Sequence, residues 1–138
     1  MSAQYTASAT TIGGRNGHVD SGDGLIHLDL TVDRALGGPG KSGASNPEQL
    51  FASGYSACFG SAIDFVAKQA KVHLDEIKVT AEVTLTAGDD GFSLSTVLRA
   101  SLKGVDRAQA EKLVQQAHQV CPYSKATRGN MPVELVVA

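Results

Sequence analysis

The chain has 138 residues, 42% of them apolar, and a formal net charge of -2. That length suits one domain over residues 1–138, able to bury about two thirds of its unfolded surface without staples. Scattered Lys and Arg exclude a basic nucleic-acid stripe, no run approaches the ~18 uninterrupted apolar residues of a membrane span, and the opening MSAQYTASATT lacks a secretory leader's pattern, so a cytoplasmic setting is expected.

Tyr5 to Ile12 is Thr-rich and alternates loosely, which predicts a strand. The turn GGRNG, Gly13 to Gly17, leads to a short return strand at His18 to Asp20, and a second turn spans Ser21 to Gly24. LIHLDL, Leu25 to Leu30, reads as a strand with Ile26, Leu28 and Leu30 on its apolar face. Leu36 to Asn46, LGGPGKSGASN, is a loop by composition. Its GKS lacks the glycine a phosphate loop needs five residues earlier, where Ala35 stands.

Asn46 as N-cap and Pro47 at the first helical position open a long helix, predicted to reach about Lys71. Glu48 falls in its first turn, where the helix dipole favours a carboxylate. Between Leu50 and Ala67 the only charge is Asp64. A helix apolar on nearly every side has to be covered on nearly every side, which points to a partner subunit. EIKVTAEVTLTA then places Ile77, Val79, Ala81, Val83 and Leu85 on one face. GDDG turns the chain, and FSLSTVLRASL answers with Phe92, Leu94, Thr96, Leu98, Ala100 and Leu102, completing a hairpin. Asp106 caps a second helix, with Gln109 at the reciprocal position and a stripe of Ala110, Leu113, Val114, Ala117 and Cys121. Pro122 stops it, and Met131 to Ala138 is a last strand. The order β-β-β-α-β-β-α-β describes an α+β domain.

Two cysteines, Cys58 and Cys121, lie outside any CxxC. Free cysteine is most often a small buried hydrophobe, so packing is the plain reading of each. Both nevertheless fall on apolar faces of helices expected to pack on one sheet. Packed helix axes lie about 8–10 Å apart, which permits the ~5.5 Å Cα separation of a disulfide. In a reducing cytosol a structural disulfide is not expected, which leaves packing and a redox-active pair as the open readings.

Arg15 in its glycine-flanked turn is either a solvated turn residue or a thiolate partner. A guanidinium about 4 Å from a thiolate, at an effective dielectric of about 20, contributes about 4 kcal/mol. That is up to about 3 pKa units before burial opposes it. Glu48 would hold such an arginine by paired hydrogen bonds. Phe51, Tyr55, Phe59 and Tyr123 are either lining for an alkyl pocket or simple core. The four histidines, His18, His27, His73 and His118, are dispersed along the chain, and no metal site is expected. The i, i+3 pair His118 and Cys121 admits a Cys–His hydrolase, although no third orienting group is identifiable. A ligand-binding module that performs no turnover is the other rival.

The stretches NPEQLFASGYSACF (Asn46 to Phe59) and VCPYSKATRGN (Val120 to Asn130), with YTA at Tyr5 to Ala7, the GGRNG turn and ALGG at Ala35 to Gly38, strongly resemble the organic hydroperoxide resistance (Ohr) branch of the OsmC/Ohr family. The likeness runs in order over essentially the whole chain, and departs at Ala87 to Gly91, a tip shorter than is usual there. It implies an OsmC/Ohr-like α+β fold, a long buried central helix against antiparallel sheets, in an intertwined homodimer with sites at the interface. The implied activity is a cysteine-based peroxidase acting on alkyl and fatty-acid hydroperoxides in defence against oxidative stress. Matched by motif, Cys58 is the peroxidatic cysteine and Cys121 the resolving one, with Arg15 and Glu48 the charged pair around the reactive sulfur. No cofactor is implied; the reductant is an external dithiol, of the kind borne on lipoyl proteins, and neither nucleic acid nor membrane is a partner.

Glu48 and Cys58 are ten residues apart, about 15 Å along a straight helix. Either the chain is not helical at Glu48, or Arg15 and Glu48 reach the sulfur from the partner subunit.

Overall fold

The computed structural model describes residues 3–138. The chain divides into two compact units, one ending at Leu50 and the other running from Phe51 to Ala138.

In the first unit, β1 (Thr10–Ile12), β2 (His18–Asp20) and β3 (His27–Asp29) form an antiparallel sheet in that order. The register pairs Thr11 with Val19 and Val19 with Leu28. A 3-10 turn at Gly14–Asn16 joins β1 to β2. Gly17 ends it because a Cβ there would stand 1.7 Å from the Ile12 carbonyl oxygen. Two strands are shorter than the sequence suggests. The predicted 5–12 strand is ordered as a strand only from Thr10, since three-residue β2 offers no partner beyond the Thr10–Asp20 pair. The predicted 25–30 strand begins only at His27. Side chains of the preceding turn take the backbone donors a longer ladder would use: Gly22 N donates to Asp20 Oδ1, Leu25 N to Asp23 Oδ1, and Ile26 N to Ser21 Oγ. Of its predicted apolar face only Leu30 is buried in the chain; Ile26 and Leu28 stay largely exposed. The loop at 36–46 is irregular as expected, and at its end Gln49 N donates to Asn46 Oδ1 at 2.8 Å, the predicted cap.

Helix α1 (Pro47–Gln69) buries one stripe, Tyr55, Phe59, Ala62, Ile63, Val66 and Ala67. These recur at helical spacing and join the core of the second unit. Another stripe, Ser53, Ala57, Ser61 and Phe65, is exposed and carries no charge. By length and composition α1 is also apolar enough to cross a membrane, a property it shares with the core helices of soluble proteins.

Strands β4 (Glu76–Gly88) and β5 (Gly91–Lys103) form a long antiparallel hairpin closed at Gly88–Gly91 over Asp89 and Asp90. The predicted faces hold: Thr96, Leu98, Ala100 and Leu102 are buried on β5, and Ile77, Val79 and Ala81 of β4 pack against the core. Phe92, at the tip, is exposed. Helix α2 (Arg107–Val120) is capped by Asp106, whose carboxylate accepts from Gln109 N at 2.8 Å. It buries Ala110, Leu113, Val114 and Ala117 as its pattern requires.

Two features depart from the expected order. A third helix, α3 (Pro122–Thr127), follows α2 after a single extended residue, Cys121. Pro122, which ends one helix, opens the next from its N1 position. The last strand, β6 (Val133–Val137), pairs with β5 in parallel, so the second sheet (β4-β5-β6) is mixed rather than antiparallel. The α2–α3 crossover is the long connection that parallel pairing needs.

Candidate active site

Cys58 lies on α1 beside its buried stripe, and Cys121 sits at the α2–α3 junction. The extended conformation of Cys121 (φ -61°, ψ 123°) turns the chain at the point where its side chain enters the core. The Cys121 thiol donates to Cys58 Sγ at 3.4 Å. Both thiols are free; Cys121 is fully buried and Cys58 partly so. A disulfide requires the sulfurs to close by only about 1.3 Å, to a ~2.05 Å bond. The i, i+3 relation of His118 to Cys121 yields no Cys–His pair: the Cys121 hydrogen bond goes to Cys58, and His118 Nδ1 faces Ser124 Oγ at 2.8 Å.

Burial pushes the Cys58 thiol above its ordinary pKa, the Tyr123 backbone N–H pulls it down, and the Cys121 thiol pushes it up again. The net direction is upward. A cation is therefore needed before this sulfur is substantially anionic at neutral pH.

The aromatic candidates separate into two roles. Tyr55 and Phe59 are fully buried and begin the core stripe of α1. Phe51, one turn before Tyr55, and Tyr123, on α3, line an almost wholly apolar cleft of about 370 Å³ with Pro122, Ala126 and Thr127. The Tyr123 ring lies against Gly54, where a Cβ would meet its hydroxyl at 2.7 Å; only glycine lets helix and ring approach this closely. Phe51, Tyr55 and Tyr123 form a ring cluster with centroids 5.7–6.3 Å apart.

A largely buried hydroxyl chain that the sequence did not suggest links α1, α2 and α3. Tyr55 Oη meets Ser124 Oγ at 2.8 Å and Thr127 Oγ1 at 3.3 Å, and Ser124 Oγ meets His118 Nδ1. Burial lowers the His118 pKa, with a smaller contribution from the charge of Arg128, so the ring stays neutral and suits a hydroxyl partner. Ser124 and Thr127 owe their buried positions to α3. This chain ties α1 to the α2–α3 junction, and so holds one cysteine against the other. Tyr55→Phe is expected to lower stability by about 1–2 kcal/mol, the cost of buried hydroxyls losing a partner, as read from urea unfolding of the reduced protein. An unchanged unfolding midpoint would show the chain to be incidental.

In the first unit, the Arg15 guanidinium grips Glu48 with two parallel hydrogen bonds, Nη1 to Oε2 at 3.0 Å and Nη2 to Oε1 at 2.7 Å. The bond to Arg15 holds the Glu48 carboxyl below its usual range, and the same bond raises Arg15 further. The sequence candidates thus fall into two assembled groups, Cys58 with Cys121 and Arg15 with Glu48. The histidines are less dispersed than the sequence implies: β2–β3 pairing brings His18 beside His27, with Nε2 and Nδ1 at 3.1 Å.

Residues 38–136 match the family model described as OsmC-like protein. The chain is 45% identical over 134 residues to the organic hydroperoxide resistance protein OhrB of Bacillus subtilis, covering 96% of this chain and 97% of that one. It is 47% identical over 135 residues to the organic hydroperoxide resistance protein of Xanthomonas axonopodis pv. citri, covering 97% and 94%. Among solved structures, an organic hydroperoxide resistance protein from Legionella pneumophila superposes with a TM-score of 0.92 at 51% identity, covering 99% of each chain.

Proposed function

Since this chain belongs to the OsmC-like family, and within it to the organic hydroperoxide resistance group, we propose that it defends against organic hydroperoxides as a cysteine-based peroxidase. The observation that carries the proposal is the 3.4 Å contact of two free thiols, one fully buried and one partly exposed. In the proposed cycle, Cys58 thiolate attacks the outer oxygen of the hydroperoxide. The O–O bond breaks, the inner oxygen leaves with a proton as the alcohol, and Cys58 becomes a sulfenic acid. Cys121 then condenses with it, releasing water and forming a disulfide. An external dithiol, of the lipoyl type, reduces the disulfide by exchange. No metal or organic group takes part in these steps. The cleft of Phe51, Pro122, Tyr123 and Ala126 favours an alkyl chain over hydrogen peroxide, because burying apolar surface contributes roughly 25 cal/mol per Å².

Arg15 is the proposed cation. Glu48 is helical, ten residues and about 15 Å before Cys58 on α1. Of the two possibilities raised by the sequence we infer the second: across a two-fold interface, the partner's Arg15 and the partner's Glu48 complete each site. The uncharged exposed stripe of α1 supports such an assembly. A monomer with full activity would refute it.

Loss of the resolving thiol separates this cycle from simple binding. Cys121→Ser is expected to consume one equivalent of cumene hydroperoxide and then stall, gaining one oxygen at Cys58 and, with excess peroxide, two or three. Turnover with dihydrolipoamide as reductant should fall to background. If mass spectrometry finds Cys58 unmodified in Cys121→Ser, the peroxidase reading fails.

A further inference from the structure

In the β2–β3 hairpin of the first unit, alternate residues of two antiparallel strands set four side chains in a square. His18 stands opposite Asp29, and Asp20 opposite His27. Their polar atoms converge. His18 Nε2 lies 3.1 Å from His27 Nδ1, and His27 Nδ1 lies 2.9 Å from Asp20 Oδ2. These three ligand atoms are all within 4.8 Å of one another. Zinc–nitrogen and zinc–oxygen bonds of about 2.0–2.1 Å imply tetrahedral edges of about 3.3 Å, so two edges are nearly in place.

A second observation concerns orientation. Asp29 Oδ1 is 2.9 Å from His18 Nδ1. A carboxylate oxygen only accepts, so Nδ1 carries the hydrogen and the lone pair of Nε2 faces His27. That is the carboxylate–histidine arrangement that fixes a metal-binding ring and raises its basicity. On the other side, Asp20 Oδ1 accepts from Gly22 N at 2.6 Å, which fixes that carboxylate and leaves Oδ2 toward the cluster. Three electron-pair donors around one point suit a cation between them. Without a metal, a single proton on His27 Nδ1 is shared by two acceptors.

We propose that His18, Asp20 and His27 form a three-ligand site for a divalent transition-metal ion of the zinc, copper and nickel class, with Asp29 positioning His18 from outside. Two imidazoles and one carboxylate suit those ions rather than magnesium or calcium. On binding, the His27 ring hydrogen resides on Nε2, and the fourth coordination position is open. The ion pins β2 to β3 beside the turn that carries Arg15, and does not enter the thiol chemistry.

The test is calorimetric titration of zinc into the tag-free, full-length chain with Cys58 and Cys121 both changed to serine, which removes the competing thiol ligands. One zinc per chain is expected. His18→Ala and His27→Ala in the same background should abolish stoichiometric binding with unchanged far-UV circular dichroism. Asp29→Asn, which removes no ligand, should weaken binding about 10- to 100-fold. Cobalt in place of zinc should give visible bands that disappear in His27→Ala. Absence of binding in the thiol-free chain, binding undiminished by either histidine substitution, or one zinc shared by two chains would overturn the proposal.

Discussion

Cys58→Ser is expected to lower turnover of cumene hydroperoxide by on the order of 10³-fold or more while leaving the fold intact. The exchange removes one polarisable atom from a partly buried helical position that borders the core without filling it. An alcohol has no accessible anion at neutral pH, and a hydroxyl cannot pass through a sulfenic acid to a disulfide. A binding module of the same fold predicts an unaffected protein. A hydrolase centred on Cys121 and His118 predicts the same indifference, and in the structure that histidine is committed to Ser124. Retained peroxide turnover in Cys58→Ser would remove the basis of the proposed cycle.

The second large effect is expected at Arg15. Within the second unit, burial drives the Cys58 pKa upward, and a single backbone N–H opposes it. A thiol in that state is mostly protonated at neutral pH. A guanidinium at about 4 Å contributes about 4 kcal/mol, or up to about three pKa units, enough to reverse the direction. Arg15→Ala should therefore slow Cys58 alkylation and peroxide reduction at neutral pH by about 10²- to 10³-fold. The sign of the pH dependence follows. Because the thiolate is the nucleophile, the wild-type rate should level off at lower pH, and the variant should continue to gain rate into the alkaline range. Arg15→Lys should recover part of the loss, since it restores the charge without the two-pronged grip on Glu48. Superimposed pH–rate curves for wild type and Arg15→Ala would show that the guanidinium does not act on this sulfur.

Much of the architecture was readable in the sequence wherever a pattern ran long. Helix α1 follows from its cap, its Pro47 and a charge-free interior. The β4–β5 hairpin follows from strict alternation on either side of GDDG, and α2 from Asp106 and a four-residue stripe. Short elements were less legible because local side-chain bonds decide them. Asp20, Ser21 and Asp23 capture backbone donors and shorten β3, which alternation alone cannot reveal. Helix α3 was hidden because Pro122 reads as a stop, yet it is equally a start. The parallel placement of β6 is a property of the crossover, not of the residues in β6.

The site was legible in the same uneven way. Cys58 and Cys121, 63 positions apart, were joined by the faces they occupy, and the structure brings their sulfurs into contact. Arg15 and Glu48 were joined by charge complementarity. The aromatic residues divide by exposure: Tyr55 and Phe59 are fully buried, whereas Phe51 and Tyr123 line the apolar cleft. His18 and His27 seemed unrelated because nine residues of sequence separate neighbours across a strand pair.

The most direct measurement is the intact mass of the fully reduced protein after exactly one equivalent of cumene hydroperoxide. Loss of about two mass units, with both thiols thereafter inaccessible to alkylation, is the result predicted for a Cys58–Cys121 disulfide. An unchanged mass, or a retained oxygen on Cys58 beside a free Cys121, would contradict it.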